Sequence, residues 1–173
     1  MGTVTLITGG ARSGKSAHAL ALALQAPGAR RFFVATAEAL DDEMRERIAH
    51  HRANRSADFV TVEEPIAIAA ALSALAGRAD VMVVDCLTLW ISNLLMAQRS
   101  DEEILAEARG LAGVMAAAPF ASFVVTDEVG AGIVPDNAMA RRFRDLLGWT
   151  NQALAQTAEH VLLMVAGYPM RVK

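Results

Sequence analysis

The sequence predicts an α/β fold, a mostly parallel sheet flanked by helices, on three observations. Short β-branched runs alternate with Ala- and Leu-rich stretches of helical length, the pattern of successive βα units. A glycine-rich turn, Gly9-Gly10-Ala11-Arg12-Ser13-Gly14-Lys15-Ser16, stands between the first apolar run and the first helical stretch. An acid, Asp85, closes the apolar run Val81-Met82-Val83-Val84.

Taken in order, strands are expected over 3–8, 31–35, 59–62, 81–84, 122–126 and 161–165, with an edge strand within 168–173. Helices are expected over 15–25, 41–52, 65–76, 87–98, 101–117 and 137–159. Ser100 and Glu103 have the spacing of a capping box for the fifth of these. Pro27-Gly28, Ala76-Gly77 and Pro119 punctuate the pattern as turns or stops. The segment from Asp127 to Asp136 carries Gly130, Gly132 and Pro135 directly after a strand, which disfavours regular structure there. A loop at the carboxyl end of a parallel strand is where such sheets hold ligands.

No linker, repeat or low-complexity tract divides the 173 residues, and a chain 54% hydrophobic and 20% charged can bury a real core. One domain spanning 1–173 is expected. A net charge of −3 offers no general attraction to nucleic acid or anionic membrane. The single cysteine, Cys86, excludes an internal disulfide and is read as a small apolar residue. The N-terminus lacks a basic lead and a long apolar core, and the longest apolar run, 81–96, is broken by Asp85, Thr88, Ser92 and Asn93. A soluble, cytoplasmic protein without membrane insertion is expected.

Gly9 to Ser16 fits G-x-x-x-x-G-K-[ST] in its required context, after a strand and opening a helix. In this phosphate cradle successive backbone N–H groups of Gly9, Gly10, Ala11, Arg12, Ser13 and Gly14 line one concavity. Lys15 neutralises phosphate oxygens, and the Ser16 hydroxyl can ligate Mg²⁺. Asp85 is the second expected Mg²⁺ ligand. Together they predict a nucleoside triphosphate-binding domain of P-loop NTPase, RecA-like type. Asp127-Glu128-Val129-Gly130 also fits the D-x-x-G pattern of switch GTPases, but the chain has no N-K-x-D guanine reader, so a switch is disfavoured.

Two adjacent histidines, His50 and His51, fall in an arginine cluster, and helical phase separates them. With Met44 at zero and about 100° per residue, Ile48 lies near 40°, His51 near −20° and Arg55 near 20°, whereas His50 lies near −120°. His51 therefore extends the inward stripe of Leu40, Met44 and Ile48, and Arg52 and Arg55 share its broad face as phosphate ligands. A neutral imidazole is a competent nucleophile toward phosphorus, and a core histidine bonded to a carbonyl is the alternative. His50 reads as solvated surface.

The ordered set GGARSGKS, VATAEALDDEMRERIAHHR, VEEP, VDCLTLWISNLL, DEVGAGIVP, RRFRDLLGWTNQALA and VAGYPMRVK resembles the bifunctional adenosylcobinamide kinase / adenosylcobinamide-phosphate guanylyltransferase family of cobalamin biosynthesis. The resemblance runs nearly the whole chain. It implies phosphorylation of the aminopropanol hydroxyl of adenosylcobinamide by ATP or GTP, then transfer of GMP from GTP to that phosphate through a guanylyl-histidine. The reactive histidine of the family lies in a pattern like R-I-x-x-H-[RK], which places the role on His51. Nucleotide contacts carry over to Thr36, Ala37, Glu38, Arg52, Ala53, Asn54, Arg55, Glu63 and Asp85. Glu128 is considered as base of the kinase step, and a homotrimer is implied. The chain departs from the family pattern at Ser56, where proline is frequent, and at Asp127, where some members have asparagine. The rivals are a simple small-molecule kinase with a structural His51, a nucleotide-gated binding module and a recombinase-like motor.

Overall fold

The computed structural model describes residues 2–38 and 57–173. β1 (Val4–Gly9) leads through the cradle into α1 (Lys15–Gln25), then β2 (Arg31–Ala35) and β3 (Phe59–Glu63). The order continues α2 (Ile68–Ala74), β4 (Val81–Asp85), α3 (Leu87–Met96), α4 (Asp101–Ala117), β5 (Ala121–Val125), α5 (Ala138–Thr157), β6 (His160–Val165) and β7 (Tyr168–Arg171). The seven strands form one sheet in the order β3-β2-β4-β5-β1-β6-β7, parallel except for the terminal β6–β7 hairpin. The predicted α/β class, a mostly parallel sheet flanked by helices, is what the chain forms.

The strands β2, β4, β5 and β1 bury both faces, so their residues read as near-continuous apolar runs rather than alternating ones. Leu6, Val34, Met82, Val84 and Val124 face a large core built with α2, α3, α4 and α5. Ile7, Phe33, Val83, Phe123 and Val125 face a smaller one closed by Ala19 and Ala23 of α1. Small residues on α1 let that helix lie close to the strands. Trp90 is 1% exposed in the large core, and its indole N–H donates to the Ile66 carbonyl at 2.7 Å. Among the described residues no helix is long and apolar enough to cross a membrane.

Strand boundaries differ from expectation by one residue at most ends, and three helices are shorter. The helix expected over 65–76 runs only Ile68–Ala74, because the Glu64 carboxylate accepts the N–H groups of Ile66 and Ala67 and holds a turn there. The one expected over 87–98 stops at Met96, where Gln98 turns left-handed at φ 57° and the Arg99 N–H closes onto the Leu94 carbonyl. The one expected over 137–159 starts one residue later, with Asn137 as N-cap to the Ala140 N–H at 2.7 Å, and ends at Thr157. Beyond it Glu159 turns away to accept the Val4 N–H at 2.6 Å, which holds its carboxyl below the usual range. The helix expected over 41–52 lies outside the described residues.

Candidate functional site

The cradle forms directly after β1, whose last residue, Gly9, is still paired with Met164 of β6. Gly9 has φ 150° and Gly14 φ 95°, and a Cβ on Gly9 would lie 2.6 Å from the Met164 carbonyl oxygen. Only glycine tolerates that approach. Gly14 is the N-cap of α1, so the helix begins at Lys15 with its N-terminus facing the turn. Arg12 is exposed, with φ 56°. The C-terminal hairpin braces the turn from behind: the Gly167 N–H donates to the Ser13 carbonyl at 3.0 Å. The Ser13 hydroxyl is buried in the turn without a hydrogen-bond partner among the described residues.

Lys15 is 8% exposed. Its ammonium donates to the Gly10 carbonyl at 2.6 Å and pairs with an Asp127 carboxylate oxygen, also at 2.6 Å. Asp127 reaches it because β5 is the direct neighbour of β1. The acid is fixed through its own backbone. Its N–H donates to the Thr88 hydroxyl at 2.9 Å, and its carbonyl accepts from the Asn151 amide at 3.0 Å, while the Asn151 carbonyl oxygen accepts from Thr126 at 2.7 Å. The next residue, Glu128, donates its N–H to the Gly9 carbonyl at 3.0 Å. Its own carboxylate is engaged by the Gly130 N–H at 2.7 Å, within its loop.

The remaining expected site residues lie along the same carboxyl edge. Ile7, Val125, Asp85, Ala35 and Glu63 are register partners across five strands. Asp85 therefore stands two strand spacings from β1, ~10 Å, and Glu63 four spacings away, ~19 Å. Thr36, directly after Ala35, is wholly buried, and its hydroxyl both donates to the Cys86 carbonyl at 2.7 Å and accepts the Cys86 N–H at 2.8 Å. Its carbonyl accepts from the Asn93 amide at 2.8 Å. The side chain of Thr36 thus clamps the ends of β2 and β4, and Ala37 and the exposed Glu38 follow from that clamp. His51, Arg52, Ala53, Asn54 and Arg55 lie outside the described residues, as does His50. The chain that carries them leaves the sheet edge at Thr36.

Residues 5–172 match the family described as cobinamide kinase / cobinamide phosphate guanyltransferase. The chain belongs to this family. The bifunctional adenosylcobalamin biosynthesis protein CobP of Pseudomonas aeruginosa is 44% identical over 168 residues, covering 97% of this chain and 96% of that protein. The bifunctional adenosylcobalamin biosynthesis protein CobU of Salmonella typhimurium is 38% identical over 180 residues, covering 97% and 98%. Among solved structures, the RadB recombinase superposes with a TM-score of 0.53 at 16% identity, covering 93% of this chain and 73% of that one. At that identity the likeness shows the RecA-like P-loop fold alone.

Within this family frame, Asp127 is the residue that sequence reasoning undervalued. The sequence marks the stretch from Asp127 as a ligand loop and a GTPase look-alike, whereas its first residue is the partner of Lys15. The signal was strand order, since an acid two positions past a strand matters to the cradle only if that strand borders β1.

Proposed function

We propose that this chain phosphorylates adenosylcobinamide with ATP or GTP and then transfers GMP from GTP to adenosylcobinamide phosphate. The family match over 5–172, joined to a formed phosphate cradle, carries the reading. Gly9 to Gly14 present backbone N–H groups to the phosphates, and Lys15 supplies the positive charge. In the kinase step the corrinoid hydroxyl attacks the γ-phosphorus and the nucleoside diphosphate leaves. In the transferase step a ring nitrogen of His51 attacks the α-phosphorus of GTP, the α–β bridging P–O bond breaks and pyrophosphate departs. An oxygen of the corrinoid phosphate then attacks the same phosphorus, the P–N bond breaks, and His51 is regenerated. Arg52 and Arg55 balance the charge that builds on the phosphoryl oxygens, with Ala53 and Asn54 beside them on the nucleotide.

The clamp at Thr36 supports this assignment: it fixes the point where the His51 segment leaves the edge that also carries the cradle and Asp85. Ala37, Glu38 and Glu63 extend the nucleotide contacts along that edge. Mg²⁺ suits the donors present. Ser16 offers a hydroxyl and Asp85 a carboxylate, and among the described residues no group of three or more His, Cys, Asp or Glu forms a cage. Mg²⁺ takes one or two carboxylates and completes its shell with substrate phosphates and water. Bound there, it would neutralise charge on the phosphates. We further assign the chain as one P-loop domain over 1–173, cytoplasmic and homotrimeric, on the family resemblance. Incubation with adenosylcobinamide, GTP and Mg²⁺ tests the function: adenosylcobinamide-GDP and pyrophosphate are expected, and a phosphorylated corrinoid with no pyrophosphate would reduce the protein to a simple kinase.

A further inference from the structure

The lysine that must meet phosphate already holds an anion. Lys15 is nearly buried, and its ammonium is shared between the Gly10 carbonyl and Asp127, each at 2.6 Å. A phosphate that binds in the turn has to displace one of these partners or bring its oxygens close to a carboxylate. Asp127 has little freedom to withdraw. Thr88 holds its N–H, Asn151 holds its carbonyl, and Glu128 ties the following peptide to Gly9, the first residue of the turn. Asn151 is in turn held by the buried Thr126. The backbone that carries the carboxylate is thus held at the rim of the cradle by three hydrogen bonds, and the side chain, 27% exposed, reaches from it to Lys15.

A fixed carboxylate beside the phosphate-binding ammonium acts in opposite directions on two forms of the same ligand. Toward a bare polyphosphate it competes for Lys15 and repels. Toward a polyphosphate complexed with a divalent cation, whose negative charge is about halved, it repels far less and can face the cation itself. Lys15 is shielded from water while Asp127 is 27% exposed, so solvent screens the effect on the carboxylate side only in part.

We propose that Asp127 is a selectivity residue that makes nucleotide loading conditional on the divalent cation, ceding Lys15 to a cation-complexed triphosphate and excluding the bare one. The proposal rests on the reading that the cradle binds a nucleoside triphosphate. It asks nothing of His51 or of the corrinoid.

The test is equilibrium binding of GTP with a methylene bridge between the α- and β-phosphorus, without corrinoid, so that neither step turns over. Affinity is measured in EDTA and in Mg²⁺ for the wild type, for Asp127→Asn and for Asp136→Asn, which removes the same charge from the far end of the same loop. Asp127→Asn is expected to bind the metal-free analogue about tenfold more tightly, a factor equal to ~1.4 kcal/mol, and to gain less from Mg²⁺ than the wild type. Asp136→Asn is expected to match the wild type in both conditions. Equal metal-free affinity in wild type and Asp127→Asn overturns the proposal, and so does an equal gain in Asp136→Asn, which would make the effect one of net charge. If Asp127→Asn is unfolded by circular dichroism, Asn151→Ala, which loosens Asp127 while keeping its charge, must narrow the Mg²⁺ dependence, and an unchanged dependence overturns the proposal. Absence of any binding with Mg²⁺ in the wild type refutes the triphosphate reading itself, a result distinct from all of these.

Discussion

Cys86 follows Asp85 directly, at the junction of β4 and α3, and packs against the smaller core. Burial pushes its thiol up to about 12, with the Asp85 charge acting in the same direction. The thiol is therefore neutral near pH 7. Because the folded value lies above the ~8.5 of an unfolded cysteine, its contribution to stability is intact below that value and is lost as pH rises from there toward 12. Chemical denaturation at pH 7 and pH 10 should show the wild type losing more stability than Cys86→Ser between the two; equal losses would mean the thiol ionises as freely in the fold as in the unfolded chain. At this scale the reading of Cys86 as a small apolar residue was within reach of the sequence. The role of Thr36 was not, because both partners of its hydroxyl come from Cys86, 50 residues away. A threonine after a strand looks the same whether it meets a ligand or a neighbouring backbone.

Among the elements, α4 shows local chemistry stating its own boundary. The Ser100 hydroxyl accepts the Glu103 N–H at 3.2 Å, and the Glu103 carboxylate accepts the Ser100 N–H at 2.7 Å, the reciprocal pair expected from S-x-x-E. Asp101 and Glu102 add negative charge to the same first turn. Replacing Ser100 by Ala should cost about 1 kcal/mol, read as a shift in the urea midpoint with an unchanged slope. No shift would mean that water satisfies the Glu103 N–H equally well. Signals of this kind lie within four residues and are legible without a structure, as are the glycine turn and the start of α1. Ends set by residues outside the usual capping types, as Glu64 reaching forward to Ile66 and Ala67 before α2 or a left-handed Gln98 after α3, carry no comparable signature. Gln is not the residue that pattern reasoning assigns to such a turn.

Across the whole molecule, strand order converts a list of motifs into a site. β5 lies between the cradle strand β1 and the strand that carries Asp85. That insertion makes Asp127, rather than Asp85, the immediate neighbour of Lys15, and it spreads Asp85, Thr36 and Glu63 along an edge leading away from the phosphates. The order of strands is set by tertiary packing of two cores, and no single segment encodes it. The succession of β-branched runs and helical stretches nonetheless foretold the class, because helices on both faces of a parallel sheet leave its central strands largely apolar.

The central claim is that His51, and not its neighbour His50, takes up GMP. Exposure of the purified protein to GTP labelled at the α-phosphorus, with Mg²⁺ and without corrinoid, should leave label on the denatured chain. That label should be labile to acid, stable to base, lost in His51→Ala and retained in His50→Ala. A wild type that retains no label, or a His51→Ala variant that still does, would contradict the account.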